Sequence, residues 1–540
     1  MRWALTALCV LLALPVLGVL GSWFALDAAA MQVLRHQFAT VLPGYGGQSL
    51  LLAASVGVGV AAVGGATAAA VTLFDFPGRR TLEWALLLPL AMPAYVLAYA
   101  YTDFLQFAGP LQSALRAATG AQGALWPDVR SLPGAVVLFV LCLYPYVYLL
   151  TRAALGERGA QMMEAARLLG AGLRRRIAEV ALPLARPAIA AGVALALMET
   201  LADYGVGAYF GLTTFSTGIY KAWLVMNDRI AAAQLASMLL VLVALLLWLE
   251  RRAQSRLRFA TSRLGAAHSA EARPVELRGR AAFAVAALCW LPVLLGFALP
   301  VAVLLHMLWL EAAHSEFGLP LARFAQWAWT SFQLAALASV GAAALALALG
   351  FALRLRRPGE GAAGQALGVG ARVVSLGYAV PGAVIAVGVL LPLGWVQARW
   401  PQAQLPVLVT GTLFGVVYAY LVRFSAVALQ SIEAGYARVP TSIDDSARML
   451  GASRWRLFGT LHLPLLRRSA LAAALLVFVD VMKELPATLV LRPFGADTLA
   501  VVAYNLARDE RLGEAALPSL AIVVVGLLPV VLLSRAMRER

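Results

Sequence analysis

Four carboxylates sit where an apolar chain has least room for them. Glu199 and Asp203 are four residues apart in METLADYGVG, and Asp480 and Glu484 are four apart in VDVMKELPATL. That spacing puts each pair on one face of a helix. A shift of 281 residues carries Glu199 onto Asp480 and Asp203 onto Glu484, so two related stretches each hold two acids at a matched site. A charge inside a bilayer costs about 2.5–3.5 kcal/mol even on lenient scales, and it needs a reason to be there. Carboxylate oxygens suit a hard cation, which makes the four a candidate translocation path or gate. The alternative is structural: they pair with Lys483, Arg492 or helix termini and stiffen a bundle. Tyr99, Tyr101, Tyr144, Tyr146 and Tyr148 offer phenolic oxygens, although membrane-interface belts account for most such tyrosines.

The surrounding composition says what must position them. Of 540 residues, 62% are hydrophobic and 13% charged, with mean hydropathy +0.81. A soluble domain is about half apolar and a quarter charged, so these figures describe an all-α polytopic membrane protein instead. Twelve stretches have spanning length: 4–26, 50–73, 82–105, 133–151, 188–209, 233–250, 281–310, 331–353, 373–394, 405–424, 470–490 and 517–534. The acids fall in 188–209 and 470–490. With the N-terminus placed in the cytoplasm, roughly three-quarters of the basic residues lie on the inner side. The net charge of +16 is then a consequence of topology, and no nucleic-acid partner is expected. Cys9, Cys142 and Cys289 lie within apolar runs and show neither a disulfide framework nor metal-ligand spacing. Arg2, the apolar run to Leu26 and the following DAAA imitate a secretory leader, but the run's length favours an uncleaved first helix.

The chain repeats itself. The polar stretch 251–280 reads as a cytoplasmic linker between a first half, 1–250, and a second, 281–540. The 281-residue shift places Glu164 on Asp445, Ala166 on Ala447, Arg167 on Arg448, Gly170 on Gly451, Pro183 on Pro464 and Arg186 on Arg467. LPLAMPAYVLAYA (88–100) likewise resembles LGYAVPGAVIAVG (376–388). In these two stretches Met92, Pro93 and Tyr95, and Pro381 and Gly382, interrupt the third helix of each half, as hinges or as plain kinks. Two halves of like order suggest a pseudo-twofold around a central path.

One pair of repeated stretches is too polar for lipid: EAARLLGAGLRRRIAEVALPLARPAI (164–189) and DDSARMLGASRWRLFGTLHLPLLRRSAL (444–471). Good helix formers lead to a glycine break and then to a second short helix, which is expected to stop at Pro183 in the first copy. The product is a short helix–turn–helix on the cytoplasmic face, the shape of a docking element for a soluble partner.

These stretches resemble the EAA loop of ABC importer permeases, and both keep the thirteen-residue step from Gly170 to Pro183 and from Gly451 to Pro464. In that family the loop rests on an ATPase subunit. The resemblance gives that role to Glu164, Ala165, Ala166 and Gly170 in a loop of about 156–187. It gives the same role to Asp445, Ser446, Ala447 and Gly451 in a loop of about 431–469. Asp445 for Glu and Ser446 for Ala depart from the pattern. FPGRRTLEWALLLPLAMPAYVLAYAYTD (76–103), METLADYGVGAYFG (198–211), GIYKAW (218–223), GYAVPG (377–382) and KELPATLVLRPFGADTLA (483–500) resemble ferric-iron permeases with both halves fused. Thiamine, sulfate and polyamine permeases share that architecture. The resemblance implies a type I (MetI-like) permease fold of two six-helix halves in a bacterial inner membrane. It also implies an ABC ATPase dimer and a periplasmic binding protein as partners, with no cofactor or resident metal. The chain's two lysines, Lys221 and Lys483, lie outside any phosphate-loop context, so ATP is expected to bind another subunit and no catalysis here. A facilitator-type secondary carrier finds one clue in DFPGRR (75–80), with no copy after the eighth span. A membrane enzyme or scaffold finds no reactive constellation.

Overall fold

The computed structural model describes residues 2–25, 28–156, 160–261, 274–315, 318–356 and 361–538. Asp27 of the leader-like DAAA, positions 157–159 at the head of the first loop and 262–273 of the linker lie outside these. Lipid offers the backbone no hydrogen bonds, so a chain this apolar satisfies its amides within helices. Among the described residues ten helices are long and apolar enough to cross a membrane, or eleven if one bent pair is a single span. The fold is therefore all-α and polytopic, with two departures from the twelve expected spans. The first is the bent pair Arg79–Ala91 and Ala94–Thr119, which turns by 90° at Met92 and Pro93. The second is Leu463–Met482, where Arg467, Arg468 and Asp480 dilute the apolar run. The interrupting prolines are not mid-helix kinks. Pro93 (φ −61°, ψ 142°) and Pro381 (φ −58°, ψ 141°) are extended and begin Ala94–Leu105 and Gly382–Arg399.

The described chain packs as two compact units. One comprises Ala39–Thr217, Val241–Leu319 and Ala503–Arg540, and the other Met1–Phe38, Gly218–Leu240 and Pro320–Val502. In the first unit Leu42–Leu73, Leu132–Ala154 and Leu182–Ala202 pack as a triangle. Close approach needs a missing side chain: a Cβ on Gly64 would stand 2.6 Å from the Tyr144 carbonyl oxygen. In the second unit Leu321–Arg354, Phe414–Tyr436 and Leu463–Met482 form the same triangle, and a Cβ on Gly435 would meet Ser469 Oγ at 2.5 Å.

The repeat thus builds one triangle per unit, but the peripheral helices are exchanged. Arg2–Gly21, from the start of the chain, packs on Ala362–Val374 and Gly382–Arg399. Leu299–His314, which follows the linker, packs against Leu512–Arg538 in the other unit. The linker's far end is tied down where Phe74–Asp75 pairs in parallel with Val275–Glu276.

Both acid-bearing helices end sooner than their composition suggests. Leu182–Ala202 stops before Asp203, and Gly205–Tyr209 follows it. Leu463–Met482 stops before Glu484, and Pro486–Leu491 follows. The expectation of two acids on one continuous helical face is therefore corrected. Only Glu199 and Asp480 are on the helix; Asp203 and Glu484 stand in the break.

Candidate docking loops and carboxylate site

The two repeated loops close on the same backbone hydrogen bonds. The first loop helix is Ala160–Leu168 and the second is Thr441–Met449. In the first, the Gly170 N–H donates to the Arg167 carbonyl at 2.9 Å and the Ala171 N–H to the Ala166 carbonyl at 3.0 Å. In the second, Gly451 donates to Arg448 at 2.9 Å and Ala452 to Ala447 at 3.0 Å. This is a Schellman cap, whose closing residue is left-handed. Gly170 (φ +81°) and Gly451 (φ +79°) supply it, which is why glycine stands at both positions.

After an extended residue, Gly172 or Ser453, the chain re-enters a helix. The expected stop at Pro183 does not occur. A wide π turn, Ile177–Ala181, leads straight into Leu182–Ala202, and Leu457–His462 leads into Leu463–Met482. Pro183 and Pro464 then fall in a first helical turn, where no N–H is required of them. Each loop's second short helix is thus continuous with its span.

Apolar side chains face outward at both tips. Leu168 and Leu169 are 82% and 87% exposed, and Met449 and Leu450 are 90% and 87% exposed. The family resemblance assigns docking to Glu164, Ala165, Ala166 and Gly170, with Asp445, Ser446, Ala447 and Gly451; the 281-residue shift pairs Leu169 with Leu450 and Leu168 with Met449, and their exposure adds these four to the surface. Glu164 lies 3.9 Å from Arg167 and Asp445 lies 3.3 Å from Arg448, both on the exposed face. Such surface pairs contribute only about 0–1 kcal/mol and are readily exchanged for a partner's groups. Ala165 and Ser446 are exposed, while Ala166 and Ala447 are half-buried.

Inward, Met163 packs on Leu73, Leu155, Ala181 and Ala185. Its counterpart Asp444 is also buried, a residue that reading the loop from Asp445 onward passes over. Arg354 Nε donates to Asp444 Oδ2 at 2.7 Å, and His462 Nε2 lies 3.5 Å from Asp444 Oδ1. Burial pushes the His462 imidazole below its ordinary value, against the pull of Asp444 and with the help of Arg354 and Arg448.

The four acids fare differently. Glu199 is half-buried and makes no hydrogen bond or ion pair among the described residues. Asp203 Oδ1 accepts the Val206 N–H at 2.8 Å and caps the short helix after the break. Asp480 pairs with Lys483 at 2.9 Å. Glu484, buried, accepts the Ala487 N–H at 2.8 Å and the Thr488 N–H at 3.0 Å, and Arg423 NH1 lies 3.3 Å away. Asp203 and Glu484 are thus held at helix termini, Glu484 also by Arg423, and Asp480 by Lys483, contacts of the kind the structural alternative expects. Arg492 is engaged with Asp497 at 2.8 Å.

Removing one member of a buried ion pair costs about 3–5 kcal/mol, since the other charge is stranded. Glu484→Ala is accordingly expected to lower the yield and melting temperature of detergent-purified protein, and Glu199→Gln to leave both unchanged. Thermal melts of the two variants check this.

Near Asp203, Tyr99 packs edge-on to Tyr209 at 5.0 Å, and Arg130 grips Glu510 at 2.7 and 2.8 Å. Two of the other expected phenols are committed elsewhere. Tyr101 donates to the Leu295 carbonyl at 2.7 Å and Tyr148 to the Glu83 carbonyl at 2.9 Å. Tyr99 and Tyr144 are fully buried, and their hydroxyls have no hydrogen-bond partner among the described residues. No group of three or more His, Cys, Asp or Glu fit for a metal ion occurs among the described residues.

Comparison with known proteins adds an independent line. Residues 61–259 and 368–539 match the family described as binding-protein-dependent transport system inner membrane component. The chain is 24% identical over 492 residues to the Fe(3+)-transport system permease protein FbpB 2 of Haemophilus influenzae, covering 90% of this chain and 88% of that one. It is 30% identical over 163 residues, 30% of this chain and 58% of the relative, to a Salmonella typhimurium protein described as the 2-aminoethylphosphonate transport system permease PhnV. A Salmonella paratyphi A protein described as the PhnU permease of the same system is 28% identical over 189 residues, 34% of this chain and 65% of its own length.

Proposed function

The chain belongs to the binding-protein-dependent transport system inner membrane component family, and from that premise we propose that it imports ferric iron across a bacterial inner membrane. Its role is that of an ABC importer permease. We take residues 1–250 and 281–540 as the two permease halves, joined by 251–280. A periplasmic binding protein delivers the cargo, and a dimer of separate ATPase subunits holds the two cytoplasmic loops. Closure of that dimer on ATP pulls both loops. Because each is continuous through a π turn with its span, the pull reaches the helix breaks that Asp203 and Glu484 cap. The observation that carries this reading is the pair of identical Schellman-capped loops with apolar tips turned to solvent.

Iron as cargo is supported by a relative described as an Fe(3+) permease, aligned over 90% of the chain and through both halves. A second reading, 2-aminoethylphosphonate, is favoured by the higher identity of PhnV over a shorter stretch. The two cargoes differ in charge, so one assay separates them. Proteoliposomes holding the complex with its ATPase and binding protein take up labelled ferric iron under the first reading. Uptake of labelled 2-aminoethylphosphonate in its place contradicts it.

Glu199, Asp203, Asp480 and Glu484 are our candidates for the path, and Glu199 and Asp480, the two that cap no helix, are the pair to vary first. Neutralising both, Glu199→Gln with Asp480→Asn, is expected to lower uptake about tenfold, a 1.4 kcal/mol effect, at normal assembly. Full transport by that variant ends their assignment to the path.

A further inference from the structure

The anchors beneath the two loops occupy the same five positions and use opposite chemistry. In the first half these are Leu73, Leu155, Met163, Ala181 and Ala185, an apolar cluster. The 281-residue shift turns them into Arg354, Tyr436, Asp444, His462 and Leu466. The second set is buried apart from part of Arg354: the side chains of Asp444 and His462 are 4% and 0% exposed. Arg354 is the last residue of Leu321–Arg354, and it makes two bonds there. Its Nε reaches Asp444 Oδ2 at 2.7 Å and its NH2 reaches the Val439 carbonyl at 2.7 Å, just ahead of the second loop helix. His462, at the end of the π turn, closes the cluster from the other side, with ring centroids 5.2 Å from Phe351 and 5.4 Å from Tyr436.

Apolar packing has no preferred direction, so Met163 lets the first loop helix shift and roll over its cluster. A planar guanidinium bonded at once to the Asp444 carboxylate and to the Val439 carbonyl ties the start of the second loop helix at two points and so restrains its rotation as well as its distance. We propose that Asp444 is a positioning residue: through Arg354 it fixes the second loop helix to the end of Leu321–Arg354, the task Met163 performs by apolar contact in the first half. The loops are therefore held unequally. The second is the stiff one and passes the ATPase's movement directly into a long helix, whereas the first is compliant. Asp444 acts through Arg354 and through the orientation of the exposed face that carries Asp445, Met449 and Leu450.

The inference rests on the reading that the loops bind an ATPase, and the test keeps the two apart. The complex of this chain with its ATPase and binding protein is reconstituted, and labelled ferric iron moved per ATP hydrolysed is measured. Asp444→Asn is expected to lower that ratio about tenfold, within the range of residues that modulate coupling without touching either ligand, while the ATPase still copurifies. Met163→Leu at the first loop leaves the ratio unchanged. Arg354→Leu with Asp444→Met and His462→Ala, the residues of the first half, removes the stranded charge and recovers the ratio to within about threefold. An unchanged ratio in Asp444→Asn, or uptake that falls only as the amount of assembled complex falls, overturns the proposal. So does a triple variant that assembles poorly or stays uncoupled. Failure of the docking reading looks different: the ATPase then remains bound after both loop glycines are replaced.

Discussion

Proline at both Gly170 and Gly451 is expected to strip the partner ATPase from the purified complex and to cut uptake by about tenfold or more, while the chain still reaches the membrane. The reason is local. Both residues hold φ near +80°, and each donates its N–H to the carbonyl three residues back. Proline is locked near −65° and has no N–H, so it removes the turn and one of the two capping bonds. The loop helix then no longer leaves its span at the angle that presents its tip. Alanine is a graded control. A Cβ at either position meets nothing within 4 Å, so only left-handed strain remains, about 1–2 kcal/mol per site. Gly170→Ala with Gly451→Ala should therefore retain far more ATPase than the proline pair. Copurification from detergent and uptake in proteoliposomes read both outcomes. Equal loss in the two variants contradicts the role of the cap.

The second large effect is expected at the tips. Leu168, Leu169, Met449 and Leu450 are more than four-fifths exposed on a chain that buries most of its interior side chains. Burying one such side chain against a partner stabilises a complex by about 1.5–3 kcal/mol. Replacing one pair, Met449→Asp with Leu450→Asp, should then weaken ATPase binding by about a hundredfold, or roughly 3 kcal/mol. Since the side chains already face water, folding and melting temperature should not change. Titration of purified ATPase onto the permease in nanodiscs measures the shift. Wild-type affinity in this variant places the docking surface elsewhere.

Much of this architecture is legible in the residues. The capping glycines announce themselves because they recur, each followed thirteen residues later by proline, and a left-handed turn is what glycine at that place does best. Hydropathy marks the spans because lipid leaves few alternatives. It says nothing about which neighbour a helix chooses, so the exchange of Arg2–Gly21 into the unit built from Pro320–Val502 is invisible to it. The helix breaks at Asp203 and Glu484 escape notice for a related reason. The spacing of two acids fits a continuous helix, and the break becomes evident only where each carboxylate is seen capping the next short helix. Pro183 misleads because a proline after polar residues reads as a stop, whereas a π turn delivers it into a first turn that tolerates it. Asp444 is missed because alignment on the acid of the loop motif draws the eye to Asp445. The informative comparison is one residue earlier, where methionine in one half faces aspartate in the other.

The central claim is that both loops are gripped from the cytoplasm by a nucleotide-hydrolysing partner. The most direct measurement places a single cysteine at Leu169 or at Leu450, in a chain whose Cys9, Cys142 and Cys289 are replaced, and adds a short thiol-to-amine cross-linker, whose second end takes a lysine of the partner, to the complex in inside-out vesicles. The account predicts that each cysteine joins an ATPase subunit. Cross-links absent from both positions, with labelling of those cysteines only from the periplasmic face, would contradict it.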